Sequence, residues 1–144
     1  RLTGGPAPAV LMDADPASGE DVRPFAALAG WLRSEGFAAP EVFAADPEHG
    51  FLLLEDFGDA LFARVAEADP AAEPALYEAA VDVLLDLSER PPPPRAAGAG
   101  CETAVAPYDA ATLLREARLI VDWWAPAAGA PLPADAGAEF DAAL

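Results

Sequence analysis

Residues 51–54 read Phe-Leu-Leu-Leu, and the chain then passes at once into Glu55-Asp56-Phe57-Gly58-Asp59. A short apolar run without polar alternation suits a buried strand, and its turn-rich flanks argue against a helix. Just upstream lies Glu41-Val42-Phe43-Ala44-Ala45, bounded by Pro40 and by the turn Asp46-Pro47-Glu48-His49-Gly50. The two segments predict an antiparallel hairpin in which 51–54 is the more buried strand. Downstream, the acidic glycine-containing segment breaks the pattern, so the buried strand emerges into a connector. This one feature divides the chain, with strand signals before it and helix signals after it.

Ahead of the hairpin, Gly4-Gly5-Pro6 is turn chemistry and Ala9-Val10-Leu11-Met12 reads as a short strand, so the opening looks like the end of a further hairpin. Asp13 to Glu20 is a polar loop. A helix follows, with Asp21 as N-cap, Pro24 in the first turn and Gly36 at its end. Phe25, Leu28, Ala29 and Leu32 fall at i, i+3, i+4 and i+7 and predict its buried stripe, flanked by Trp31.

Everything after Gly58 reads helical. Ala60 to Ala68 ends at Asp69-Pro70, and Pro74 to Ser88 places Leu76, Ala80, Val83, Leu84 and Leu87 on one face. Pro91-Pro92-Pro93-Pro94 stops that helix and starts a Pro/Ala/Gly linker to Gly100. From Asp109, a further stripe comprises Leu113, Ala117, Ile120, Val121 and Trp124. Pro126 to Pro133 reads as loop, and Ala134 to Leu144 as a helix whose apolar residues Phe140 and Leu144 lack a completed face. The fold class is therefore α+β with two lobes. Residues 1–55 fall in the strand-bearing lobe, 56–59 in the connector and 60–144 in the helical lobe.

Composition removes several functions. The chain carries 25 acidic against 8 basic residues, a net charge of −17 and a pI near 4.1. That sign is wrong for a phosphate-backbone binder and for an anionic membrane surface. No apolar run is long enough to span a bilayer, and no leader is expected from the opening residues. One cysteine, Cys101, gives no internal disulfide framework and suggests a reducing, cytoplasmic setting; with His49 as the one histidine, a Cys/His zinc site is excluded. Lysine, asparagine and glutamine are absent while alanine is abundant. Their codons are A/T-rich and G/C-rich respectively, so a GC-rich genome accounts for most of this bias.

Most candidate chemistry has a plainer explanation. His49 lies in a tight turn, and none of the three serines, Ser18, Ser34 and Ser88, sits in a Gly-x-Ser-x-Gly elbow. Gly4-Gly5 lacks the phosphate-loop spacing and is followed by prolines without N–H groups. Cys101 has no flanking basic residue to activate it. Asp13, Asp15, Glu20 and Asp21 read as a solvated charge cluster. For Trp123-Trp124, one core ring and one partly exposed ring is the better account than a stacking platform. The string Gly50 to Asp59 stands apart, because a connector between lobes presents main-chain groups to a cleft, where flat heterocycles bind. A plain strand terminus explains it equally well on the residues alone.

That string resembles the linker of the aminoglycoside phosphotransferase-like kinases, the group that includes choline kinases. The ordered series Val10-Leu11-Met12-Asp13-Ala14-Asp15-Pro16, Asp21-Val22-Arg23-Pro24-Phe25, Pro40-Glu41-Val42 and Gly50 to Asp59 narrows the likeness. It is similar to the bacterial branch of sugar kinases acting on the anomeric hydroxyl of N-acetylmuramate and N-acetylglucosamine. Tyr108-Asp109, Leu113, Glu116 and Asp122-Trp123 match the same branch. Asp15 departs from it, standing where the branch usually has proline.

The resemblance implies a protein-kinase-like fold with ATP under the linker. It also implies that residues 1–55 are a partial N-terminal small lobe, 56–59 an interlobe linker and 60–144 the N-terminal part of a helical large lobe. Main-chain groups of Glu55, Asp56 and Phe57 would hold the adenine, and Met12 would lie near the nucleotide, where related kinases carry a phosphate-contacting lysine and this branch carries methionine. The partners implied are ATP with Mg²⁺ and a small sugar substrate. Catalysis in such kinases is positioning and electrostatics around a His-x-Asp motif with a later Asn and metal-binding Asp. Those residues are expected beyond Leu144, and the chain is read as a fragment of the enzyme, inactive alone. The alternative is a non-catalytic, pseudokinase-like binding or interaction module, which the missing lysine, missing catalytic loop and strong negative charge support.

Overall fold

In the computed structural model, which describes residues 1–130, 132–133 and 135–143, the apolar run at 51–54 is the middle strand of a sheet. The chain enters with strand β1 (Ala9–Asp13), makes one short helical turn at Pro16–Ser18, and forms helix α1 (Arg23–Ser34). Strands β2 (Val42–Asp46) and β3 (Phe51–Glu55) follow. The sheet is antiparallel in the order β1-β3-β2, with Val10 opposite Leu54 and Met12 opposite Leu52. On the other side Val42 faces Leu54 and Ala45 faces Leu52, with a bulge at Phe43.

Because side chains alternate across a strand, this register sends Leu52 and Leu54 to one face and Phe51 and Leu53 to the other. The Leu52 face is the core, joined by Val22, Ala26, Ala27, Ala96 and Cys101, with Met12, Val42, Ala45 and Trp31 packed against it. Leu52 itself is 0% exposed. The tight turn before it tucks under the start of the loop after β1. Gly50 adopts a φ of +78°, and a Cβ there would stand 2.0 Å from the Ala14 carbonyl oxygen. Only glycine fits.

Helix α1 ends as anticipated, with Gly36 at φ +89° and the Phe37 N–H donating to the Leu32 carbonyl at 2.9 Å. Its start lies one residue later than expected. Val22 is the cap position, and the Asp21 carboxylate accepts the Arg23 N–H at 2.9 Å. The expected stripe is also corrected. Ala26, Ala27 and Ala29 are buried, Leu28 and Leu32 are half-buried, and Phe25 is exposed. Small side chains win the interior because α1 packs at backbone distance on a neighbour that the sequence pattern did not suggest.

That neighbour lies in the segment read as a linker. After helices α2 (Phe62–Ala68) and α3 (Glu73–Ser88), the chain forms a second antiparallel hairpin, β4 (Arg95–Gly98) and β5 (Cys101–Ala104). Its turn is Ala99-Gly100, both with positive φ, as a two-residue hairpin turn requires. A Cβ on Gly30 would lie 2.5 Å from the Gly98 Cα, so helix and strand touch through two glycines. Cys101 is therefore a buried core residue. The hairpin's return to α1 is also why the first compact unit, Arg1–Val105, runs on through residues 56–59.

Helix α3 buries no residue; Leu76, Ala80 and Leu87 of the expected face are half-buried, whereas Val83 and Leu84 are exposed. Arg90 anchors its end. One Nη donates to the Glu35 carbonyl, and the guanidinium lies 4.8 Å from the centre of the Phe37 ring.

The second unit, Ala106–Leu144, contains helix α4 (Ala110–Ala117), capped by the Asp109 carboxylate on the Thr112 N–H at 2.9 Å. The helical path then widens into a π turn at Ile120–Trp124 and passes into one further turn, α5 (Ala125–Ala127), within the stretch read as loop. The widening disrupts the expected stripe: Leu113, Ile120 and Trp124 are exposed, and so is Trp123, so neither tryptophan is a core ring. Helix α6 (Ala136–Ala143) is tied back by Arg118, whose Nη1 lies 2.6 Å from Asp141 while Nε lies 3.0 Å from Asp122. The expected partner of Phe140, Leu144, lies outside the described residues, as do Ala134 and Pro131.

Candidate nucleotide-binding connector

The site expected at the end of β3 is built from three parts: the strand itself, the connector that leaves it, and two arginines that hold the connector from different elements. Glu55 closes β3, and its N–H donates to the Glu41 carbonyl at 2.8 Å. Its carboxylate accepts the Glu41 N–H at 3.1 Å and lies 3.5 Å from Arg33. Arg33 also donates to the Ala39 carbonyl at 2.9 Å and pairs with Glu41 at 3.3 Å. The last turn of α1 and the ends of β2 and β3 thus share one charged cluster.

Asp56 follows with its side chain turned inward, 7% exposed. Its Oδ1 accepts the Gly58 N–H at 2.8 Å, closing a turn around Phe57. Arg1 supplies the countercharge, with Nε 2.6 Å and Nη2 3.0 Å from the Asp56 carboxylate. The same guanidinium donates to Asp59 at 2.6 and 3.0 Å, and Arg64 stands 3.7 Å from Asp59. Arg1 holds the Asp59 carboxyl below its ordinary value of 3.8, chiefly by hydrogen bonding and then by its charge. The reciprocal effect raises the Arg1 guanidinium.

Phe57 is 59% exposed. Its main-chain N–H donates to no group of the chain among the described residues. The structure therefore brings Glu55, Asp56 and Phe57 together on one connector. Met12 is elsewhere on the sheet. Ala9, not Met12, lies opposite Glu55, and three steps of the ladder, roughly 10 Å, separate them. The Met12 thioether packs on the core beside Leu52.

Sequence reasoning missed Arg1 and Arg33; Asp59 stood within the singled-out string, but without a role. A contact between residues 1 and 59 leaves no local periodicity. The one available signal was the Asp56-x-x-Asp59 pair flanking a glycine, which reads equally well as turn composition.

The donor set suits part of a nucleotide. The Phe57 N–H, on an exposed residue beside a buried carboxylate paired by Arg1, can hydrogen-bond the edge of a heterocycle. A phosphate site is not evident: β1 presents an uncharged thioether, and seven arginines lie on carboxylates of the chain. Among the described residues no group of three or more His, Cys, Asp or Glu side chains could hold a metal ion. Nor is any described helix long and apolar enough to cross a membrane.

The sequence matches the Phosphotransferase enzyme family over residues 1–144. The chain belongs to that family. Within this family, an N-acetylmuramate/N-acetylglucosamine kinase of Caulobacter vibrioides is 41% identical over 99 residues, covering 69% of this chain and 27% of that protein. A protein of the same name from Pseudomonas aeruginosa is 39% identical over 124 residues, 86% of this chain and 33% of the relative. A third, from Pseudomonas putida, is 35% identical over 115 residues, 80% and 30%. The phosphotransferase-family chain thus spans about a third or less of the curated relatives it matches.

Proposed function

We propose that the whole protein to which this chain belongs is a cytoplasmic, ATP-dependent sugar kinase. It would transfer the γ-phosphoryl group of ATP to a sugar hydroxyl; the names of the relatives favour an N-acetylated amino sugar, and the hydroxyl we assign is the anomeric one. The observation that carries this reading is the connector, where β3 delivers Glu55, Asp56 and an exposed Phe57 as a segment pinned through Asp56, in a family of phosphotransferases. In this reading residues 1–55 belong to a small lobe, 56–59 are the interlobe linker and 60–144 begin the large lobe. The main-chain groups of 55–57 hold adenine, and Met12 lies on the strand bordering the nucleotide.

The chemistry is an in-line transfer. The sugar oxygen forms a bond to the γ-phosphorus, the bond to the β,γ-bridging oxygen breaks, and ADP leaves while the hydroxyl proton passes to a base. Mg²⁺ would neutralise the transferring phosphate, and no residue among those described is assigned as its ligand or as the base. The direct test incubates the full-length protein with ATP, Mg²⁺ and N-acetylmuramate or N-acetylglucosamine, and follows the product by phosphorus NMR. A sugar 1-phosphate formed in step with ADP is expected. ADP-free mixtures after prolonged incubation with both sugars would refute the kinase reading.

A second reading rests on Met12. A thioether packed into the core offers no charge to a phosphate, as in a binding module that holds a nucleotide without turning it over. Nucleotide binding by the full-length protein without phosphoryl transfer to any sugar would favour it.

A further inference from the structure

Leu2 is bridged to Ala9, its N–H donating to the Ala9 carbonyl at 2.7 Å, and Ala9 lies opposite Glu55 in the register of the sheet. A row of three backbones therefore crosses the end of the sheet, and it places Arg1 beside the first residues of the connector. One planar guanidinium then reaches two carboxylates. Nε and Nη2 take Asp56; Nη1 and Nη2 take Asp59. Such a fork fixes direction as well as distance, which an ammonium cannot do.

We infer that Arg1 is a positioning residue for the nucleotide end of the site, setting the main-chain path of residues 55–57 through its hold on Asp56 and Asp59. The inference rests on the reading that this main chain engages the adenine.

The coupling is physical. The Asp56 carboxylate that Arg1 neutralises also accepts the Gly58 N–H, so one side chain joins the guanidinium to the peptide planes around Phe57. Asp56 is nearly buried, and a buried carboxylate deprived of its countercharge rotates toward water rather than staying unpaired. Rotation releases the Gly58 N–H, opens the turn and displaces the Phe57 peptide. Gly58, at φ +77°, gives the segment no resistance of its own. Asp59 supports the same guanidinium from the exposed side, where Arg64 is a second and more distant partner, so its loss matters less.

The test uses the full-length protein and four variants: Arg1→Gln, Arg1→Lys, Asp59→Asn and the Arg1→Gln/Asp59→Asn double. Each is assayed for steady-state kinetics, for ADP binding by calorimetry and for thermal unfolding. Arg1→Gln is expected to raise KM for ATP and Kd for ADP about tenfold, with kcat and the sugar KM changed by less than about twofold. Arg1→Lys recovers only part of that loss, because it keeps the charge without the fork. Asp59→Asn gives roughly a two- to threefold rise, and the double variant is no worse than Arg1→Gln, since both remove one arrangement.

Unchanged ADP affinity in a folded Arg1→Gln protein, with the parent binding ADP normally, would overturn the inference and leave the adenine reading standing. A parent protein that binds no ADP would remove both. A fall in kcat with comparable rises in both KM values, in step with lowered Tm, or failure of all the variants to fold, would show that Arg1 is structural only and would equally overturn it.

Discussion

Two regions of the same compact unit use apolar side chains in opposite ways. The β1-β3-β2 sheet, α1 and the β4–β5 hairpin enclose a core of Val22, Cys101, three alanines and two leucines, with backbones close enough for Gly30 to meet Gly98. Helix α3 carries larger groups on several sides, yet Tyr77, Val81, Val83, Leu84 and Leu85 are all exposed. A helix apolar around much of its circumference is a helix made to be enclosed, whereas α1 with its small-residue face is already enclosed. Stability in this unit is thus a matter of close approach rather than of apolar content, and it is concentrated in the sheet region.

The sharpest way to break this comparison is to force the backbones apart. Gly30→Val places its side chain against the Gly98 Cα, where a Cβ would already be at 2.5 Å. The expected cost is about 3 kcal/mol or more, measured by urea unfolding followed by circular dichroism. A loss under about 1 kcal/mol would mean that helix and hairpin separate easily. The next test holds the chemistry constant and changes only the region. Leu52→Ala, at a 0% exposed site, should destabilise the chain by about 3 kcal/mol. Leu84→Ala, at 63% exposure in α3, should change it by less than about 0.5 kcal/mol. Equal losses at the two leucines would abolish the distinction.

The same contrast explains what could be read from the residues. The strands β1, β2 and β3 were legible because each has its own apolar signal and turn flanks, and the antiparallel hairpin and the more buried strand followed from them. β4 and β5 were not. Arg95-Ala96-Ala97-Gly98 and Cys101-Glu102-Thr103-Ala104 follow four prolines in a chain so rich in alanine that small residues lose their value as signals. Their turn, Ala99-Gly100, lacks the asparagine or aspartate that usually marks such a hairpin. The buried stripe of α1 was then misplaced for the same reason. With the hairpin unseen, Phe25, Leu28, Ala29 and Leu32 were the obvious interior; Ala29 is indeed buried, but the close contact with β4 brings in Ala26 and Gly30 and leaves Phe25 exposed. At the connector, Glu55, Asp56 and Phe57 could be singled out because strand, acid and glycine are adjacent. Arg1 and Arg33 could not, since ion pairs across 55 and 22 positions are decided by the fold.

The smallest expected effect separates the two kinds of stabilisation by pH. Among the described residues the core holds no buried polar or charged side chain, so protons have nothing to act on there. Helix α4, in the second unit, starts on a charge. The Thr112 N–H, which Asp109 accepts, holds that carboxyl below its ordinary 3.8, so the charged form is favoured by the folded helix. A depressed carboxylate stabilises fully above its unfolded value and progressively less as pH falls through the folded one. Lowering the pH from about 5 toward 2 should therefore shift the Thr112 amide resonance with a midpoint under 3.8 and fray the first turn of α4. The Leu52 amide should stay protected over the upper part of that range. Asp109→Asn sharpens the result, because asparagine caps a helix without a titrating charge. The variant should keep the turn ordered and lose the titration at Thr112. A midpoint above 3.8, or a titration that survives in the asparagine variant, would assign the pH response to another group and remove the cap as its source.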